Sequence, residues 1–195
     1  KTTKSNKIGF IGGQKSTVLN MFEAGFVAGV KSVNADIDVD VQYVGDFSST
    51  SKAKTIAASM YSAGADVIYQ AAGGAGAGVF TEAKDLNTQT TKDQKVWVIG
   101  VDLDQSADGA YKATDGKSNF TLTSSLKGVG TVVQNISTKA LNGKFPGGKH
   151  LVYGLSDGGV SVTRGNMSDE AWTAVKAAKK AILNNDVTVP TTPEK

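Results

Sequence analysis

Gly64-Ala65-Asp66-Val67-Ile68-Tyr69-Gln70-Ala71-Ala72-Gly73-Gly74-Ala75-Gly76-Ala77-Gly78-Val79-Phe80 is the stretch on which the fold turns. Val67 to Tyr69 is a short apolar run that reads as a buried strand, and it empties into a glycine-rich turn. From Val79 polar and charged residues return with helical spacing. Open parallel sheets use strand, glycine turn and helix in that order to bind small molecules beyond the carboxyl ends of their strands. Glycine lets a backbone approach a ligand closely and present its N–H groups to it.

Working outward, the same alternation repeats on both sides. Ala53, Ile56, Ala57, Met60 and Tyr61 fall at i, i+3, i+4, i+7 and i+8, an amphipathic helix that Gly64 is placed to stop. Lys7 to Ile11 reads as a strand ending in Gly12-Gly13. A helix follows from about Thr17 to Asn34, with Leu19, Phe22, Phe26 and Val30 on one stripe. Val39 to Val44 is a second strand, closed by the loop Gly45-Asp46-Phe47-Ser48-Ser49. Downstream of the glycine turn a helix runs to about Leu86. A polar loop (87–94) leads to the buried strand Val96–Val101, which ends in Asp102-Leu103-Asp104-Gln105. The expected class is α/β, a parallel sheet flanked by helices.

Beyond Asp104 the pattern loosens. Ser106 to Ser118 reads as a polar loop and Phe120 to Thr123 as a short strand. Leu126, Val129, Val133, Ile136 and Ala140 mark a helix that Lys127 would open. Asn142-Gly143 and Phe145-Pro146-Gly147-Gly148 break the chain before an expected strand His150–Leu155, a turn and a short strand Val160–Val162. Ser168-Asp169-Glu170 caps a last helix whose buried face carries Ala171, Val175, Ala178 and Ile182. Pro190 to Lys195 is a tail.

The totals narrow the chemistry. A chain of 195 residues, 39% hydrophobic and 20% charged, buries a core like an ordinary globular protein. No apolar run approaches the roughly 18 residues that span a bilayer. Lys1 to Lys7 is polar and shows no secretory signal, as a mature or truncated chain would. Cysteine is absent, so disulfides, thiolate metal sites and a cysteine nucleophile are excluded. The net charge of +3 is mild and almost all lysine, with Arg164 the only arginine, which argues against nucleic-acid binding.

The glycine turn fails both phosphate patterns. A Walker A loop needs Lys-Ser/Thr after its last glycine, where Val79-Phe80 stands, and GxGxxG begun at Gly74 would require glycine at Val79. Close helix–sheet packing is the plainer use of such glycines. Asp102 and Asp104 end a strand where a ligand crevice is expected. Carboxylates there repel phosphate and pair with vicinal hydroxyls such as those of a ribose, although Asp also caps turns. Lys127 sits where a helix dipole disfavours a cation, unless it is simply solvated. Phe22 and Tyr69 offer stacking faces for a flat ligand, or pack the core. His150, the only histidine, has no nucleophile or paired carboxylate at a recognisable spacing, and no catalytic or metal-binding constellation and no cofactor motif is found.

These residues carry a resemblance. Ile8-Gly9-Phe10-Ile11-Gly12-Gly13, Phe22-Glu23-Ala24-Gly25-Phe26-Val27-Ala28-Gly29-Val30, Ala71-Ala72-Gly73-Gly74 and Val98-Ile99-Gly100-Val101-Asp102 resemble the basic membrane protein family, in order and spacing, from Lys7 to about Ile182. The family comprises lipid-anchored surface substrate-binding components of ABC transporters, and characterised members bind purine nucleosides. The resemblance implies a two-lobed, type I periplasmic-binding-protein fold without enzymatic activity, a permease as partner, and an extracytoplasmic location. The family's proteins are considerably longer, so the chain is expected to be a fragment lacking the first lobe, its signal peptide and its anchor. Residues 1–121 would form the second lobe and 122–158 a crossover belonging to the first. Residues 159–189 would return to the second lobe, leaving 190–195 as tail, and the fragment is expected to self-associate. Carried over by position, Asp102 is the ribose-binding carboxylate, Lys127 the lysine after the crossover, Gly76 with Gly74 the glycine-turn backbone contact, and Tyr69 an aromatic at the strand end. Ala75 stands where the family often has threonine, and Gly45 to Ser49 lacks an acidic residue often found at its end, which leaves the preferred nucleoside open. An α/β enzyme acting on nucleosides or sugars, such as a nucleosidase, is the alternative.

Overall fold

In a computed structural model, which describes residues 1–193, a six-stranded sheet is ordered β2-β1-β3-β4-β7-β8. Its strands are β1 (Lys7–Gly12), β2 (Asp38–Tyr43), β3 (Val67–Ala71), β4 (Trp97–Asp102), β7 (Thr121–Lys127) and β8 (Val160–Val162). The first five run parallel, and β8 closes one edge antiparallel to β7. The helices are α1 (Thr17–Val33), α2 (Thr50–Ser62), α3 (Ala77–Asn87), α4 (Val129–Leu141) and α5 (Asp169–Leu183). The expected α/β class with a mostly parallel sheet is therefore what the chain adopts.

Local chemistry sets the boundaries. The Ser16 side chain accepts from Leu19 N–H at the start of α1, and Ser168 accepts from Ala171 N–H at the start of α5, each relieving an unpaired amide of the first turn. Gly64, at φ +96°, ends α2 in the left-handed conformation that side-chain-bearing residues avoid. β3 is buried along its whole length, as expected of a central parallel strand covered on both faces.

Two apolar layers hold the helices to the sheet. On one face Met60, Ile68, Val79, Phe80, Val98 and Phe120 pack α2 and α3 down. On the other, Phe10, Leu19, Tyr69 and Val101 form the core under α1, continued by Ile8, Val67 and Leu122. That second face is incompletely covered. Between α1 and α5 an apolar groove of about 640 Å³ runs over the sheet, lined by Phe26, Val30, Ile99, Leu122, Ala174 and Ala178.

The second half departs from the sequence expectations in three places. The 106–118 loop contains a hairpin, β5 (Ala110–Ala113) against β6 (Gly116–Asn119), turned at Gly116 with φ +131°. Only Tyr111 and Ala113 face inward, too short an alternation to stand out. The strand expected at Phe120–Thr123 runs on to Lys127, so Leu126 and Lys127 lie on β7, and α4 begins at Val129. β7 thus extends this sheet six residues past the expected lobe boundary at 121. His150–Leu155 forms no strand: Val152 is 79% exposed and no neighbouring strand pairs with it. Helix α4 has no buried residue, with Val129 63% and Val133 58% exposed. Of the tail, Glu194 and Lys195 lie outside the described residues.

Candidate functional site

The parallel strands β1, β3, β4 and β7 bring their carboxyl ends to one edge of the sheet, and the sequence places there Gly12-Gly13, Gly73 to Gly76, Asp102 and Lys127. Asp102 pairs in register with Leu126, so Lys127 is one residue further along the neighbouring strand. Lys127 Nζ lies 2.9 Å from Asp102 Oδ1, with both side chains about half exposed. The ammonium also sits 5.1 Å from the centroid of the Phe22 ring, an attraction between cation and ring face. Lys127 therefore does not open a helix. It ends a strand, and a carboxylate and an aromatic ring answer its charge.

Asp102 has φ +69° at the centre of a three-residue turn, in which Leu103 N–H donates to the Val101 carbonyl at 2.8 Å. A side-chain-bearing residue held there costs of order 1 kcal/mol, and such strain concentrates where a side chain must be aimed. Aspartate is among the few residues that tolerate the region.

Tyr69 is buried, its ring 5.6 Å from that of Phe10 and 5.2 Å from that of Phe26 by centroids. Its hydroxyl reaches the Ser125 hydroxyl at 2.8 Å. The tyrosine's pKa is pushed up to about 12, chiefly by burial; hydrogen bonding to Ser125 pulls it down and the Asp102 charge pushes it up. Phe22, half-buried on α1, lies 6.4 Å from the Tyr69 ring. Asp102, Lys127, Phe22 and Tyr69, drawn from four elements, thus form one cluster.

The glycine turn divides its duties. A short 3-10 segment, Gly73–Gly76, leads into α3. Gly74 is exposed and Gly76 buried. A Cβ on Gly76 would overlap the Gln70 side-chain oxygen, and one on Gly78 would overlap the Thr50 carbonyl of α2. Gly78 is therefore a packing glycine, whereas the exposed backbone at Gly73 and Gly74 faces outward at the sheet edge.

Three participants escaped the sequence reading. Ser125 gave no signal beyond its place on a strand. Phe47, 44% exposed, lays its ring against Gly13, and its carbonyl accepts from Ala75 N–H at 2.9 Å, tying the loop after β2 to the glycine turn. Its signal was a lone aromatic in an otherwise polar loop. Gln70, fully buried, was the one polar residue in the apolar run of β3. Asp104 accepts from Ser106 N–H as a turn residue, and His150 is exposed in the irregular segment. Among the described residues no group of three or more His, Asp or Glu is placed to hold a metal, and no helix is long and apolar enough to cross a membrane.

Comparison with known proteins agrees with this architecture. Residues 1–192 match the Bmp family, described as ABC transporter substrate-binding protein PnrA-like. The chain is 56% identical over 191 residues to the ABC transporter nucleoside-binding protein BmpA of Lactococcus lactis subsp. cremoris, covering 97% of this chain and 54% of that protein. It is 49% identical over 195 residues to a CD4+ T-cell-stimulating antigen of Listeria monocytogenes, covering 98% and 54%. Among solved structures, an ABC transporter solute-binding protein of Aeropyrum pernix K1 superposes with a TM-score of 0.77 at 22% identity, over 94% of this chain and 58% of the other, a likeness of fold. The chain spans about half the length of the curated relatives it matches. With nearly all of its residues matched, the chain belongs to the Bmp family of PnrA-like ABC-transporter substrate-binding proteins.

Proposed function

We propose that this chain supplies one wall of an interlobe cleft that holds an unphosphorylated purine nucleoside (adenosine, guanosine or inosine class) for delivery to an ABC transporter permease, without chemical change. The observation that carries the proposal is the Asp102–Lys127 pair at the carboxyl edge of the sheet, beside a glycine turn that matches no phosphate pattern. Lys127 engages Oδ1 of the carboxylate, so Oδ2 is available to accept from a ribose hydroxyl, while Lys127 keeps two of its three N–H donors for the ligand. Gly74 would offer backbone groups and Phe22 the aromatic face, with the buried Gly76 and Tyr69 supporting them from beneath. A relative 56% identical over 191 residues is named for nucleoside binding, which supports the ligand class.

The cleft follows the two-lobed plan of such proteins, in which ligand is enclosed as the lobes close. In this proposal residues 1–121 and 159–189 belong to the lobe described here, β7 continues its sheet through Lys127, and the rest of 122–158 reaches toward the other lobe. A lipid-anchored, extracytoplasmic protein is the setting that the family suggests. The rival reading is a nucleosidase-like enzyme, for which the chain would need a group to activate water beside the sugar.

A thermal-shift panel with adenosine, guanosine, inosine, AMP and GMP, run with chromatography for free base, separates the readings. Stabilisation by nucleosides that are recovered intact is the expected result. Stabilisation by AMP or GMP but not by their nucleosides would overturn the ligand class, and free base whose release is lost in Asp102→Asn would overturn the transport reading.

A further inference from the structure

Asp102 stands in a strained turn, and besides its ladder to β7 that turn is fixed by a pair of amide side chains. The Gln105 side-chain oxygen accepts from Val101 N–H at 3.0 Å, bracketing the turn from the residue before Asp102. The same oxygen accepts from Gln70 Nε2 at 2.7 Å. Gln70 is fully buried on β3, and its own oxygen accepts from Ala72 N–H at 3.2 Å, where the strand enters the glycine turn. Around the pair the space is closed: a Cβ on Gly76 would overlap the Gln70 oxygen, and a Cβ on Gly100 would lie 2.9 Å from the Gln105 oxygen. Gln105 is held in turn by its backbone N–H to Ser124 Oγ (3.1 Å) and by Nε2 to Asp108 (3.1 Å).

We infer that Gln70 and Gln105 are positioning residues. They join the glycine turn to the Asp102 turn, so that the backbone groups at one side of the ligand and the carboxylate at the other are presented as a single rigid surface. A buried polar pair whose donors and acceptors are matched rigidifies the groups around it, and neither side chain is needed for a ligand contact. The inference rests on Asp102 reading ribose hydroxyls.

The test compares wild type with Gln105→Leu and Gln105→Glu in the proposed two-lobed protein, titrated with adenosine, guanosine and their 2′-deoxy counterparts. Gln105→Glu, made together with Asp108→Asn so that two carboxylates do not face each other at 3.1 Å, keeps an acceptor for both Val101 N–H and Gln70 Nε2 and should stay within about threefold of wild type. Gln105→Leu removes that acceptor and should weaken the ribonucleosides by about tenfold or more, the 2′-deoxy compounds much less, and should add little in an Asp102→Asn background, since coupled residues are non-additive. Equal losses for both ligand classes that add fully to Asp102→Asn, or no loss at all, would overturn the inference. If wild type binds none of these nucleosides, the ligand reading fails, and the strut is judged in the 195-residue chain by amide hydrogen exchange. Gln105→Leu should then speed exchange at both Val101 and Ala72 while the Phe10 amide is unchanged. Unaltered rates at Ala72 would show that the two turns are not joined.

Discussion

Gly78 and Gly29 show how differently two helical glycines are used. A side chain at Gly78 would drive into the backbone of α2, which cannot yield without moving the helix. Gly78→Ala should therefore destabilise the fold by about 2 kcal/mol, within the usual range for overpacking, read as a lowered denaturant midpoint. Gly29, on α1, has open space where its Cβ would go, and Gly29→Ala should be neutral or stabilising by up to about 1 kcal/mol. The sequence marked the Gly73–Gly78 turn as the centre of the fold, yet could not say which glycine serves packing. That depends on how closely α2 approaches α3, a contact between segments some twenty-five residues apart. Asp102 and Lys127 were legible as candidates, but their 2.9 Å pairing was not, because it needs β4 and β7 to be neighbours in the sheet. Tyr69 was legible as either core or contact, and its ring proves to be buried.

At the scale of elements, the βα alternation up to Asp102 was readable because each strand and helix carries its own apolar period and its own breaker. Past that point the signals are short or misleading. The β5–β6 hairpin has four-residue strands, and β7 outruns its apolar part through Ser124 and Ser125. His150–Leu155 had strand composition but no partner edge to join. The loop after β2 shows an element built on one carboxylate. Asp46 accepts from the Ser49 hydroxyl and from the Ser48 and Ser49 N–H groups, which holds its pKa well below the ordinary 3.8. A carboxyl depressed in the folded state adds stability that is complete above its unfolded value and is lost as pH falls through the folded value. The gap in melting temperature between wild type and Asp46→Asn should accordingly be constant above about pH 5 and shrink steadily below pH 3.8. A gap that widens on acidification would contradict the assignment. The same loop carries Phe47 over Gly13, so loosening it should also disturb the carboxyl edge of the sheet.

At the scale of the molecule, the uncovered surfaces need explaining. Helix α4 buries none of its residues, and the groove between α1 and α5 leaves about 640 Å³ of apolar-walled space over the sheet. Exposed apolar surface of this extent promotes association. The 195-residue chain should therefore self-associate in light scattering at micromolar concentration, and Val133→Glu, on the bare face of α4, should reduce it without lowering thermal stability. A strictly monomeric chain would show that these faces are tolerated as they are. In the proposed cleft only one wall comes from these residues, and each tenfold of affinity corresponds to about 1.4 kcal/mol. Losing a stacking partner and two hydrogen bonds on the far side should leave the isolated chain binding nucleosides in the high micromolar range or weaker.

The most direct test of the central claim is a calorimetric titration of adenosine and guanosine into the proposed two-lobed protein, beside its Asp102→Asn variant. Asparagine tolerates the left-handed turn at this position, and an exposed ion pair contributes only about 0–1 kcal/mol to stability, so the variant should melt close to wild type. Its nucleoside affinity should nonetheless fall by at least tenfold, as expected when a charge-assisted hydrogen bond worth roughly 1.5–3 kcal/mol is lost. Saturable one-to-one binding of intact nucleoside that depends on Asp102 is the predicted result. Binding of equal strength in both proteins, with both equally stable, would contradict it.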